Sequence, residues 1–327
     1  MKGSYTIQIR NKRLAVTLEI QRNITVIQGD SATGKTTFIE MLRNYEQLGK
    51  QSGIVVRSEK NCHVLTDLDW EDRLPKLQNS IVFVDEGNRF ITSAAFARAI
   101  QGTDNYYVLI TRENLYQLPY SVNAILKLKT TTSRFRTTYV KSYPNYEQLK
   151  LPESQASWPD LFLTEDANSG YELFSEIAGR YGLRCESAKG KSNILLSLQR
   201  LGNQKAVVIA DGAAFGAEMD KVYTYYRLHT GNIVLYLPES FEWLLLKSGV
   251  LGEKTPAAIL ENPSAYIDSR DYFSWEQFFT SLLTELTSNS YMQYNKHKLN
   301  AFYLQPGCMD KVLAQIGFAE SNLESPV

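Results

Sequence analysis

The chain has 327 residues, 43% of them hydrophobic and 21% charged, enough to bury a sizeable core and, by length, to form about two domains. Thirty-five Lys and Arg balance thirty-five Asp and Glu, which excludes a uniformly basic nucleic-acid coat and an acidic disordered tail. The balance is uneven: residues 1–150 hold 21 basic and 14 acidic side chains and the remainder 14 and 21, so two electrostatically distinct units are expected.

In chain order, Tyr5–Ile9, Leu14–Leu18 and Ile24–Ile27 read as short strands separated by polar, basic turns. The third runs into a glycine-bounded loop, and Thr36–Leu48 follows as a helix with Phe38, Ile39, Leu42 and Tyr45 at helical spacing. After a weakly patterned stretch come the apolar strand Ile81–Val84, a helical segment Thr92–Gln101 and the buried-type strand Tyr106–Ile110. Strands alternating with helices imply an α/β fold with a mostly parallel sheet. Residues 142–158, with Pro144 and Pro152 among Ser and Gln, read as a linker. A second alternating series then begins at Leu161–Thr164 and ends near residue 250. Residues 251–327 read as a mainly helical extension, in which Ser274 and Gln277 resemble a capping box ahead of Phe278 and Phe279.

Cys62, Cys185 and Cys308 are far apart and form no C-x-x-C pair, so neither a disulfide framework nor a zinc site is indicated and a reducing cytoplasm is expected. The opening residues lack the apolar core of a signal peptide, and no run approaches the roughly 20 apolar residues of a membrane span. No membrane partner is expected.

The sequence Gly29-Asp30-Ser31-Ala32-Thr33-Gly34-Lys35-Thr36 matches G-x-x-x-x-G-K-[ST] and lies between a strand and a helix. Glycines let the backbone curl so that its N–H groups face phosphate oxygens, and the helix N-terminus adds its positive end. Lys35 is placed to reach the β- and γ-phosphates of a nucleotide, and the Thr36 hydroxyl to bind Mg2+. Asp85 ends the next apolar strand, where a carboxylate can hold the same Mg2+, and Glu86 beside it can orient or activate an attacking water. Thr111 and Arg112 end the following strand and are candidate γ-phosphate sensors; a solvated arginine at a strand end is the plainer reading.

The paired N-terminal strands, the loop Gly29–Thr36 with Thr37, and Asp85-Glu86 together resemble the core of an ABC/SMC-type or AAA-type P-loop ATPase over residues 1–141. Only fifty positions separate Lys35 from Asp85 and no L-S-G-G-Q-like signature precedes Asp85, so the helical insertion that completes ABC dimer sites is not expected. The resemblance implies ATP and Mg2+ as cofactors. It also implies a second copy or a partner subunit completing the ATP site.

Residues 159–250 resemble a TOPRIM domain, the metal-binding α/β module of topoisomerases, primases and OLD-family nucleases. In that pattern the first strand ends in a glutamate, here Glu165, and a later strand ends in D-x-D, here Asp211-Gly212-Ala213. The resemblance makes Glu165 and Asp211 ligands of Mg2+ or Mn2+, which takes oxygen donors and polarises a phosphodiester. Ala213 replaces the second aspartate and Asp166 the glycine that usually follows the glutamate, so Asp166, Glu218, Asp220 and Glu239 are candidate substitutes. The whole resembles a compact, divergent OLD-type ATPase–nuclease, which implies action on nucleic acid in phage defence or mobile-element biology. Two outputs stay open: ATP-gated, metal-dependent cleavage of DNA or RNA, or a nucleotide-dependent switch or assembly partner whose TOPRIM-like domain is catalytically inert.

Lesser features divide in the same way. His63, His229 and His297 are scattered, and the Cys62-His63 pair is poorly spaced for chelation. Tyr139, Tyr143 and Tyr146 beside Lys141 could stack on bases or pack in a core. The basic stretch Lys127 to Arg136 could contact a phosphate backbone or protect a sheet edge.

Overall fold

The computed structural model describes residues 1–28, 35–130, 136–144, 146 and 159–318. Within it the chain forms two compact units, Met1–Pro144 with Asn262–Ser274, and Asn145–Glu261 with Trp275–Val327. Most of the 142–158 stretch read as a linker lies outside the described residues.

The first unit contains the strands β1 (Tyr5–Arg10), β2 (Ala15–Ile20) and β3 (Ile24–Ile27), then α1 (Lys35–Leu48), β4 (Val55–Arg57), β5 (Asn61–Leu65) and the short α2 (Trp70–Arg73). It continues with β6 (Ser80–Val84), α3 (Ala94–Ile100), β7 (Tyr106–Ile110), β8 (Ile125–Thr130) and β9 (Arg136–Lys141). Among the described residues these strands make one sheet in the order β4-β1-β2-β9-β8-β3-β7-β6-β5. The run from β8 to β5 is parallel, β9 is antiparallel to β8, and β1 is antiparallel to both β2 and β4. The sheet is mixed but mostly parallel: five of its eight pairings are parallel, and the antiparallel ones are β1–β2, β1–β4 and β8–β9.

Sequence pattern accounts for where each strand lies. β3, β6 and β7 are apolar at nearly every position and buried along their whole length, as strands covered on both faces must be. β1 alternates, with Tyr5, Ile7 and Ile9 inward and Thr6, Gln8 and Arg10 outward, so one face meets the core. α1 buries Phe38, Ile39, Met41 and Leu42 against this sheet. Phe38 packs edge-on to Phe83 and Tyr139, with ring centroids 5.6 and 6.0 Å apart, and burying such a side chain contributes about 1.5–3 kcal/mol.

Residues 262–274 return to the first unit. The Gly3 N–H donates to the Ser264 carbonyl at 2.7 Å, Asn23 Nδ2 donates to the Phe273 carbonyl at 2.5 Å, and Arg270 pairs with Asp104 at 2.9 Å.

The second unit is a small α/β arrangement built on a four-stranded sheet. It has β10 (Leu161–Thr164), α4 (Ser169–Arg180), β11 (Arg184–Ser187), α5 (Ile194–Leu201), β12 (Ala206–Ile209), α6 (Gly216–Leu228) and β13 (Ile233–Tyr236). Helices α7 (Phe241–Lys247), α8 (Ala257–Glu261), α9 (Trp275–Thr287) and α10 (Pro306–Ile316) follow. The strands are all parallel, in the order β11-β10-β12-β13. The chain steps outward from β10 to β11, then crosses back over β10 to β12, so the direction of winding reverses between β10 and β12. In open α/β sheets that reversal opens a crevice at the carboxyl ends of the strands.

Candidate functional site

Two places in the molecule gather chemistry, one in each unit. In the first unit, Gly29, Asp30, Ser31, Ala32, Thr33 and Gly34 and the side chains of Lys35 and Thr36 lie outside the described residues. The frame around them is described. β3 ends at Ile27, α1 begins at Lys35, and Thr37 is exposed in its first turn. The Gln28 N–H donates to the Leu126 carbonyl at 2.9 Å, and the Ile27 carbonyl accepts the Thr111 N–H at 3.2 Å. The last residues before the loop are thus held by both neighbouring strands, β8 on one side and β7 on the other.

Asp85, Thr111 and the loop all follow the carboxyl ends of parallel strands, with β7 lying between β3 and β6. Burial raises the Asp85 carboxyl above the usual carboxylate range, opposed by the Glu86 N–H, which donates to Asp85 Oδ1 at 2.8 Å, and by the charge of Arg43. A desolvated carboxyl of this kind gains from a nearby cation. Glu86 Oε1 and Arg112 Nε form an ion pair of 2.7 Å on the exposed side of the edge. Thr111 is buried, and its hydroxyl accepts the Glu113 N–H at 2.9 Å. Arg43 was not singled out from the sequence; its place on α1 gives no local sign that its charge acts on Asp85.

In the second unit, a cavity of about 100 Å³ opens at the reversal between β10 and β12. Glu165 and Asp211, which follow those two strands, both line it, together with Asp166, Glu242 from the first turn of α7, Glu276 from the first turn of α9, and Lys296. The Asp211 N–H donates to Glu165 Oε2 at 3.0 Å, and Asp211 Oδ1 accepts the Phe241 N–H at 2.9 Å. Tyr294 Oη donates to Glu242 Oε1 at 2.8 Å and lies 2.9 Å from Ser169 Oγ. Lys296 Nζ donates to Glu276 Oε1 at 2.8 Å, and the Lys296 carbonyl accepts the Ser169 N–H at 3.2 Å.

So many carboxylates around one small space disfavour full ionisation. Burial, followed by the charges of Glu276 and Asp166, pushes Glu165 up to about 7 against the opposing Asp211 N–H and Lys191. Burial and the neighbouring Glu276, Glu165 and Glu242 push Asp211 well above its usual range. Burial also raises Asp166.

Of the proposed substitute ligands, only Asp166 lines this cavity. Glu218 and Glu239 are buried and Asp220 exposed, and none of the three lines it. Glu242, Glu276 and Lys296 take part instead. The only local sign of the two glutamates is an acid in the first turn of a helix, which any helix tolerates, and Lys296 lies outside any helix or strand. The residues fit a bound divalent ion poorly: among the described residues, no three His, Cys, Asp or Glu side chains are grouped so as to hold one.

Gly212 has a plain structural role, since a Cβ there would come within 2.5 Å of the Leu237 carbonyl oxygen and 2.8 Å of that of Pro238. Tyr139 and Tyr143 lie within the first unit, Tyr139 against Phe38 and Tyr143 buried. His63 Nδ1 sits 2.8 Å from Glu46, and the His229 ring stacks on Tyr225 at 4.1 Å. Arg134 lies outside the described residues. Among the described residues no helix is long and apolar enough to cross a membrane.

No protein-family model matches the chain. A search of curated proteins finds none similar to it.

Proposed function

We propose that the first unit binds ATP with Mg2+ at Gly29–Thr37 and hydrolyses it slowly, and that nucleotide state controls a TOPRIM-like second unit acting on nucleic acid, as a switch in phage defence or mobile-element biology. One observation carries the reading. The phosphate-loop sequence sits between β3 and α1 while Asp85 and Thr111 follow the carboxyl ends of β6 and β7 in the same parallel run, which is where open α/β sheets bind ligands.

In this reading the loop N–H groups and Lys35 bind the phosphates, and Thr36 and Asp85 hold the metal ion. Glu86 orients the attacking water, with Thr111 and Arg112 in reach of the terminal phosphate. The bound nucleotide supplies the phosphoanhydride whose cleavage resets the switch. The exposed Glu86–Arg112 pair suits a site completed by a second copy or a partner subunit, and solution mass with and without ATP distinguishes these from a monomer. Calorimetry tests the core of the reading: Lys35→Ala is expected to weaken ATP binding about 10–100-fold, and unchanged affinity overturns it.

A second reading, metal-dependent cleavage of DNA or RNA by the second unit, is favoured by the meeting of Glu165 and Asp211 in one cavity beyond the carboxyl ends of β10 and β12. Nicking of plasmid DNA in Mg2+ or Mn2+ that disappears in Asp211→Ala would establish it; no nicking in either metal leaves the switch.

A further inference from the structure

The acidic cavity of the second unit holds five carboxylates and one ammonium. A divalent ion takes about six oxygen ligands converging at roughly 2.1–2.5 Å, and a carboxylate oxygen already engaged by a protein donor is a poorer ligand. All five carboxylates are engaged in this way, Asp166 by the Asn168 and Tyr171 N–H groups. Glu165 Oε2 takes the Asp211 N–H, Asp211 Oδ1 the Phe241 N–H, Glu242 Oε1 the Tyr294 hydroxyl and Glu276 Oε1 the Lys296 ammonium. Ala213 supplies no ligand where the resemblance calls for an acid.

Lys296 is built into this arrangement rather than draped over it. Its carbonyl accepts the Ser169 N–H, and Ser169 Oγ meets the Tyr294 hydroxyl that binds Glu242. Both ends of the short segment 294–296 are therefore tied to the cluster. Burial works against the charge on Lys296, but Glu276, Glu242 and Asp211 more than offset it and hold the ammonium protonated. Glu242 is 1% exposed, and its second oxygen, Oε2, is buried without a hydrogen-bond partner. Glu276, which holds the ammonium at 2.8 Å, is the carboxylate with most to lose if the ammonium is removed.

We propose that Lys296 is the resident cation of this carboxylate cluster, a covalently attached charge in place of a divalent ion, and that the second unit keeps its architecture without binding metal there. The inference is independent of the nucleotide reading, because it concerns residues of the second unit alone.

Manganese titration followed by electron paramagnetic resonance tests it, using the full chain carrying Lys35→Ala, without nucleotide, so that the phosphate loop contributes no metal. With Lys296 present, no stoichiometric Mn2+ is expected below roughly 0.1 mM. Lys296→Met in the same background is expected to bind one Mn2+ about tenfold or more tighter, and adding Asp211→Asn to remove it. Lys296→Gln, which keeps a polar head, serves if the methionine variant does not fold. One Mn2+ bound below roughly 0.1 mM by the Lys296 protein, and lost in Asp211→Asn, overturns the proposal. So does a folded Lys296 variant with no gain in Mn2+ affinity.

Discussion

The Asp211 main-chain N–H donates to Glu165 Oε2 at 3.0 Å, so the ends of β10 and β12 are stitched together by two residues whose carboxyls share one cavity. In an unfolded chain Glu165 releases its proton near 4.5; in the folded unit it holds it to about 7. Between those values the folded state binds more protons, so stability falls as pH rises through this window and levels off above it. A shift of this size corresponds to about 3 kcal/mol at most, and Asp211 adds in the same direction. The second unit is expected to melt at a lower temperature at pH 8 than at pH 5.5. Glu165→Gln should flatten the dependence and raise the pH 8 value; an unchanged slope in calorimetric melts would show that Glu165 is not its source.

Asp85 gives a prediction of the same sign in the first unit. Its carboxyl is disfavoured by burial in the absence of a cation, so Asp85→Asn is expected to raise the melting temperature of the nucleotide-free protein by about 1–3 °C. The same substitution should abolish the additional stabilisation that Mg2+ gives in the presence of ATP. Thermal melts without nucleotide, with ATP, and with ATP and Mg2+ check both effects in one series.

Glu86 and Arg112 are joined by an exposed ion pair, a class of contact worth about 1 kcal/mol or less. Glu86→Gln should therefore leave the melting temperature almost unchanged. If Glu86 orients the attacking water, phosphate release falls by about 100-fold. Equal turnover in the variant and the parent removes Glu86 from the chemistry.

Gly212 admits no side chain, since the nearest atoms to a new Cβ are backbone carbonyls rather than flexible side-chain ends. Gly212→Ala is expected to destabilise the second unit by about 1–3 kcal/mol, measured by urea unfolding. A neutral outcome would mean that the turn after β12 can shift away from Leu237 and Pro238.

The strands that frame both sites were legible because they are buried on both faces. Ile81–Val84 and Tyr106–Ile110 carry an uninterrupted apolar run that no helix of that length would need. β5 was not legible: Asn61-Cys62-His63 is polar or small because it lies at the sheet's end, and only Val64 and Leu65 are buried. Strands alternating with helices give the parallel pairings, whereas the antiparallel pairs β1–β2 and β8–β9 join consecutive strands, a departure that the alternation does not signal.

The sites divide along the same line. Glu165 and Asp211 announce themselves by following apolar strands, and the cavity joins them. Glu242 and Glu276 do not, since an acid in the first turn of a helix is ordinary, and only the tertiary fold carries α7 and α9 to the β10–β12 crevice. Lys296 belongs to no regular element at all, so its partnership with Glu276 has no sequence signature.

The return of residues 262–274 to the first unit makes the chain pass between the two units three times. Neither unit is a contiguous stretch of sequence. A fragment ending at Pro144 would lose the partners of Gly3, Asn23 and Asp104, and one beginning at Asn145 would carry thirteen residues that belong elsewhere. No single cut in the chain yields either unit whole and alone, so a two-fragment split would have to leave residues 262–274 joined to the second unit.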